Sequence, residues 1–306
     1  MQESNEHRNP FLLAPSLMPI VLLFFGVFSF IPFGKGALTY ILASVLMIFV
    51  LGGVLALAVY LRGSRWLKVC CKSRSKGGFL LSLAASGMMM IQSALIRAFL
   101  IGDLYDYRTY SLYGMSFESA TDSFGAFLLV FTALAVVPAF LEGFLFRGFF
   151  MYEYRHAGIF LSVLVPSFLY AMTGMSVAQY PVHLLNGILL SSVVFLTGNV
   201  FYSILSHLLY ALFALTLEKY FLFIAAETPL LFLLVLAAVG LFFIICFCGL
   251  ADKILRLRGE NEDRVPIRCK KGKLSVVLKD IFSVPMIWAD VFGFLLIGVL
   301  HIFLDA

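Results

Sequence analysis

Charged side chains are scarce in this chain: they make up 13% of its 306 residues, against 62% hydrophobic ones. A soluble globular domain carries roughly 25% charged residues. A water-soluble fold is therefore excluded, and the mean hydropathy of +1.00 marks a polytopic membrane protein. The length suits one helical membrane domain and leaves no room for a large soluble one. Cysteine is scarce too. Cys70, Cys71, Cys246, Cys248 and Cys269 form no CxxC pair, so reduced, non-catalytic thiols are expected. A cleavable leader is not expected: Met1–Pro10 carries Glu3 and Glu6 against one Arg8, and the apolar run Phe11–Phe33 is too long for a signal core. Internal repeats and low-complexity segments are missing. Without matched halves, a transporter built from inverted repeats is disfavoured.

The chain does contain long apolar runs. Segments able to span a bilayer, roughly 20 residues each, fall at Phe11–Phe33, Ala37–Leu61, Phe79–Ile101 and Phe124–Phe150, the last with an extension to His156. Two shorter runs follow, Ile159–Met172 and Val182–Leu196, then Val200–Leu217, Pro229–Leu250 and Val284–Phe303. The expected fold is all-α, a polytopic transmembrane helix bundle of eight or nine spans. The chain divides into N-terminal transmembrane helices (1–123), core helices (124–217) and C-terminal helices (218–306) with a basic loop at 251–283.

The net charge of +5 is not spread as a nucleic-acid surface, and no nucleic-acid partner is expected. It sits in two loops. One, Arg62–Lys76, holds Arg62, Arg65, Lys68, Lys72, Arg74 and Lys76; the other, after Leu250, runs through Lys253, Arg256, Arg264 and Arg268 to Lys279. The positive-inside rule makes both cytoplasmic. The acidic loop Gly102–Ser123 (Asp103, Asp106, Glu118, Asp122) then falls outside, with Tyr105, Tyr107, Tyr110 and Tyr113 suited to the membrane interface. An integral protein of the plasma membrane with a cytoplasmic N-terminus and an external C-terminus at Ala306 is expected. Leu274, Val277, Leu278, Ile281 and Phe282 recur at helical spacing and predict an interfacial amphipathic helix.

Polar groups at membrane depth are the candidates for function. Leu141-Glu142-Gly143-Phe144-Leu145-Phe146-Arg147-Gly148 puts a carboxylate and a guanidinium into an apolar run. Burying either charge in hydrocarbon costs roughly 2.5–3.5 kcal/mol, so such residues usually face the bundle interior. The structural alternative is an ion pair that only fixes packing. Arg97 lies near its span's external end and reads as snorkelling. Gln92 and Asn186 read as interhelical hydrogen bonders, and His183 as an interface residue. His207 lies well inside Val200–Leu217. Counted from the inner helix ends at 1.5 Å per residue, Glu142 lies about 20 Å deep and His207 about 10–15 Å. A glutamate and a histidine meeting there could activate water, the one as general base, the other as donor to an oxyanion.

These segments resemble the CAAX prenyl protease and bacteriocin-processing (Abi-type) intramembrane endopeptidases. That family is marked by Glu-Glu-x-x-x-Arg, then Phe-x-x-x-His, then His-x-x-x-Asn/Asp on separate helices. Glu142-Gly143-Phe144-Leu145-Phe146-Arg147-Gly148 looks like the first motif, Phe168-Leu169-Tyr170-Ala171-Met172 falls where the second belongs, and His207-Leu208-Leu209-Tyr210-Ala211 looks like the third. Asn186-Gly187 and Thr197-Gly198-Asn199 resemble the intervening glycine-bearing helix and its turn. The resemblance covers about Ala126–Leu217 and implies that Glu142 activates water and His207 polarises the scissile carbonyl, with Arg147 completing the first motif.

The departures are as specific as the matches. The second glutamate is Gly143, so Arg147 loses its i,i+4 partner and must find Glu142, Glu153 or lipid phosphate. The second motif's histidine is Met172, an apolar filler without useful basicity. The third motif's last position is Ala211, which cannot donate to an oxyanion. Tyr210 and Asn186 are the candidate substitutes. Catalytic zinc needs about three protein ligands, and Glu142 and His207 supply two, so no metal and no other cofactor is expected. The expected partners are the lipid bilayer and a hydrophobic or lipidated peptide, entering from the cytoplasmic side. The function implied is an intramembrane endopeptidase with an eroded site. A non-catalytic relative that binds a membrane partner is the alternative, and a small transporter component a third.

Overall fold

The computed structural model describes residues 13–31, 36–71, 77–101, 109–118, 123–259 and 273–304. Met1–Pro10, Lys72, Arg74, Lys76, Asp103, Tyr105, Asp106, Tyr107, Asp122, Arg264, Arg268, Cys269 and Ala306, all used in the readings above, lie outside the described residues.

The chain folds as a helical membrane bundle, as lipid demands: only helices satisfy their own backbone hydrogen bonds in hydrocarbon. The helices are α1 (Leu13–Ser29), α2 (Ala37–Arg62), α3 (Arg65–Cys70), α4 (Gly78–Phe99), α5 (Phe124–Tyr154) and α6 (Ile159–Met172). They continue as α7 (Tyr180–Thr197), α8 (Val200–Thr216), α9 (Glu218–Glu227), α10 (Pro229–Gly259), α11 (Lys273–Phe282) and α12 (Pro285–Leu304). Among the described residues α2, α4, α5, α7 and α10 are long and apolar enough to cross a membrane. A sixth span results if α8 and α9, bent by 56°, are one. α1, α6 and α12 are shorter apolar helices. Each apolar run of the sequence therefore has its helix, though three fall short of span length. The Val182–Leu196 run extends to a full 18 residues as α7.

The two ends of the bundle are chemically distinct. At the end that receives α3, Trp66 packs edge-on to Phe149 at 5.6 Å, and Leu81 at the start of α4 clusters with Ile254 near the end of α10. This is the basic end. At the opposite end, Arg97 of α4 pairs with Glu218 of α9, and His301 of α12 meets Ser29 of α1 at 2.8 Å. Between them α4 is held to α8 by hydroxyls: Ser82 Oγ donates to Tyr202 O at 2.9 Å and Ser206 Oγ to Ser82 O at 3.2 Å.

The all-α expectation has one exception, at the end away from the basic loops. β1 (Thr109–Leu112) and β2 (Met115–Glu118) pair antiparallel, Leu112 opposite Met115 and Tyr110 opposite Phe117. The two-residue turn Tyr113-Gly114 has φ of 53° and 75°, as tight hairpins require. A tyrosine at positive φ is uncommon and needs compensation. Here it is packing: the ring is 2% exposed and stacks on Phe25 of α1, centroids 4.1 Å apart and planes 2° apart. Gly114 cannot be larger, since a Cβ there would lie 2.7 Å from Ser29 Cβ and 2.9 Å from Met175 Cβ. The segment read as a loop at the membrane interface instead drives its tip into the bundle.

Candidate active site

The site is built from α5 upward. Glu142 ends a regular α turn, and Gly143–Phe150 continues as π-helix. In an α-helix, residues five apart diverge by roughly 140°. Wider i→i+5 bonding turns them back toward one face. Arg147 thereby comes to the face of Glu142, with Nη1 3.6 Å from Oε2. Of the partners open to Arg147, the structure selects Glu142; Glu153 is taken by Arg62 at 3.0 Å. Glu142 and Arg147 are 2% and 1% exposed. The guanidinium also lies over the Tyr170 ring of α6, 3.9 Å from its centroid, a cation–π contact that matters more where water is excluded.

α8 brings the histidine. Its N-terminus is set by Gly198, whose φ of 71° ends α7, and by Asn199, whose side chain accepts from Phe201 N at 2.9 Å. His207 lies about two turns further on, with Nδ1 3.5 Å from Glu142 Oε2. Neither atom, nor any Arg147 nitrogen, has a hydrogen-bond partner among the described residues. The other carboxylate oxygen is engaged: the Tyr113 hydroxyl donates to Glu142 Oε1 at 2.5 Å.

Glu142 and His207 line one cavity with Arg97, Leu112, Tyr113, Tyr170, Thr173, Gly174, His183, Tyr210 and Ala214. It offers about 30 Å³ to water centres, room for one or two waters and not for a peptide. Atoms 3.5 Å apart, as Oε2 and Nδ1 are, can share a water placed about 2.8 Å from each. That water would satisfy two orphaned buried atoms at once, which is the usual reason a buried water is ordered.

Two sequence expectations are corrected. His183 is not an interface residue: it borders the cavity, its ring 6.2 Å from Tyr170 and against Gly174, where a Cβ would lie 2.6 Å from the imidazole. Arg97 does not snorkel: it is 6% exposed, paired with Glu218 (2%), and donates to Gln179 Oε1 at 3.4 Å. Both errors have one cause. A position near a helix end is exposed only where nothing packs over it, and here the hairpin and α9 lie at that end. The cavity accordingly sits among hairpin-end residues, not toward the basic loops.

The remaining predicted residues divide. Tyr210 reaches the cavity wall, with its hydroxyl accepting from Ser93 at 3.0 Å. Asn186 faces α4, where its Oδ1 accepts from Gln92 Nε2 at 2.5 Å. Gly143, Met172 and Ala211 are buried but do not line the cavity. A Cβ at Gly143 would lie 2.6 Å from Ile204 Cγ1 of α8, so glycine lets α5 and α8 approach. Sequence reasoning missed Tyr113, Thr173 and Glu218. The alternation Leu112-Tyr113-Gly114-Met115-Ser116-Phe117 is a hairpin signal that could have flagged the first. Among the described residues no group of three or more His, Cys, Asp or Glu could hold a metal ion.

The model of the family described as type II CAAX prenyl endopeptidase Rce1-like matches residues 124–213. The match runs from the start of α5 into α8 and includes Glu142, Arg147 and His207, the segment that resembled CAAX proteases by motif. No curated protein and no solved structure matched the chain.

Proposed function

We propose that this protein is an endopeptidase working inside the membrane, with Glu142 as the water-activating base and His207 as the group that polarises the scissile carbonyl. The supporting observation is the approach of Glu142 Oε2 and His207 Nδ1 to 3.5 Å on a shared, water-sized cavity. A water held between them gives a proton to Oε2 as its oxygen bonds to the carbonyl carbon. The C–N bond then breaks and the proton passes to the leaving amine. Arg147 stays outside the proton transfer and holds the carboxylate face. The substrate class is a hydrophobic or lipidated peptide held at the membrane.

A second reading, a non-catalytic binder, is favoured by Gly143, Met172 and Ala211, which break the motifs, and by a cavity too small for a peptide. A transporter has less support, because Phe146, Phe149 and Phe150 are fully buried along α5 between Glu142 and the basic end. We infer that peptide reaches Glu142 from the hairpin end or sideways from lipid. By the charge rule the hairpin end is the non-cytoplasmic face.

The test is turnover of prenylated and unprenylated C-terminal peptides by the purified full-length protein in bilayers. Cleavage that Glu142→Gln abolishes supports the enzyme. Binding without cleavage supports the second reading and sinks the first.

A further inference from the structure

We propose that Tyr113, at the tip of the hairpin, is a positioning residue for Glu142, holding one carboxylate oxygen so that the other is presented to His207. The inference rests on the reading of Glu142 as the water-activating base. The hairpin delivers a polar group from elsewhere in the chain. The Tyr113 hydroxyl donates to Oε1 at 2.5 Å, leaving Oε2 as the oxygen that meets His207 and Arg147.

Three features mark this contact as built. The tyrosine keeps a positive φ of 53°, a strained backbone state that persists only where the surroundings enforce it. Its ring is clamped flat on Phe25. The next residue is a glycine at φ 75° where any Cβ would strike Ser29 and Met175. The tip is therefore fixed by α1 and by the turn after α6, and the hydroxyl is aimed, not draped. A carboxylate with one oxygen pinned has one orientation, which is what a base needs if it is to meet its water without reorganising.

The experiment uses the purified full-length protein in bilayers and dicyclohexylcarbodiimide, an apolar reagent that modifies protonated carboxyl groups. Adducts are quantified at Glu142 and, as internal control, at Asp290, a buried carboxyl of α12 that lies within electrostatic reach of Tyr154. Tyr113→Phe keeps the ring and removes the donor. Modification of Glu142 is expected to rise about tenfold relative to Asp290, the scale of one hydrogen bond to a charged group. In the isosteric arm, 3-fluorotyrosine at position 113 strengthens the donor, and Glu142 modification falls below the wild-type rate. Unchanged labelling in both arms, or Glu142 and Asp290 rising in parallel, overturns the inference. In the peptide assay Tyr113→Phe lowers kcat and leaves KM unchanged; a change in KM alone makes the tyrosine a substrate contact and overturns it too. Peptide cleavage by a wild type whose labelling ignores Tyr113 sinks this inference and spares the enzyme reading. The reverse pattern does the opposite.

Discussion

Gly143 of α5 faces Ile204 of α8 so closely that a Cβ on the glycine would lie 2.6 Å from Ile204 Cγ1. The missing second glutamate of the first motif is thus compensated in the packing of two helices. Restoring it is expected to damage the protein. Gly143→Glu must displace Ile204 and bury a second carboxylate beside Glu142, exceeding the roughly 1–3 kcal/mol of ordinary overpacking. Gly143→Ala should fall within that range, and Ile204→Ala in the same chain should recover most of it. Thermal unfolding in detergent measures the series. A Gly143→Glu protein as stable as wild type would show that the two helices separate freely.

Arg147 needs Glu142 as much as the proposed chemistry does. Removing one member of a buried pair leaves the other charge uncompensated, at about 3–5 kcal/mol. Glu142→Gln should therefore lower the unfolding midpoint, and Arg147→Met added to it should restore much of the loss. Unfolding curves of the two single variants and the double variant check this. An additive double variant would mean that the 3.6 Å approach of the pair carries no coupling. Cleavage assays on Glu142→Gln are best read beside the double variant, which separates lost chemistry from lost fold.

The sequence disclosed the fold through its simplest signal. Every apolar run became a helix, because hydrocarbon leaves the backbone no alternative. The approach of Glu142 to His207 was legible from the order of the motifs, while counting depth along each helix set the two residues about 5–10 Å apart. What stayed hidden depends on contacts across long separations. Tyr113 lies 29 residues from Glu142 and Arg97 lies 121 from Glu218, and nothing local marks either partner. Glu142 was one of three partners open to Arg147, and helical periodicity did not select it. Periodic reasoning assumes 3.6 residues per turn, and the π segment from Gly143 to Phe150 changes which residues share a face.

Two ion pairs of similar composition should differ widely in worth. Arg97 and Glu218 are 7% and 2% exposed by side chain, while Arg256 and Asp252, 2.8 Å apart, are 78% and 60% exposed. Water and salt screen the second pair, so Asp252→Asn should cost under about 1 kcal/mol. Glu218→Gln removes the carboxylate that faces a buried guanidinium and should cost about 3–5 kcal/mol. It should also unlatch α9 from α4 at the hairpin end. Unfolding midpoints, with hydrogen exchange read at the α8–α9 bend, distinguish the two. Equal effects would place the Arg97 pair in contact with water.

Adjacent cysteines at the basic end offer a test outside the membrane spans. Cys70 closes α3 and is 7% exposed, with its Sγ 3.6 Å from Leu67 O; Cys71 is partly exposed. Burial first, and the neighbouring Cys71 thiol second, push the Cys70 thiol up to about 12. The raised value keeps Cys70 a neutral thiol at every pH below that range, and only the thiolate is a good nucleophile. At pH 8 iodoacetamide should modify Cys71 at least ~10-fold faster than Cys70, since burial and the missing thiolate act in the same direction. Cys70 should become reactive when the protein is unfolded at the same pH. Peptide mapping by mass spectrometry reads both sites in one sample. Equal rates in the folded protein would mean that α3 does not pack against α5 through Trp66 and Phe149 as described, and that the basic end is open to water.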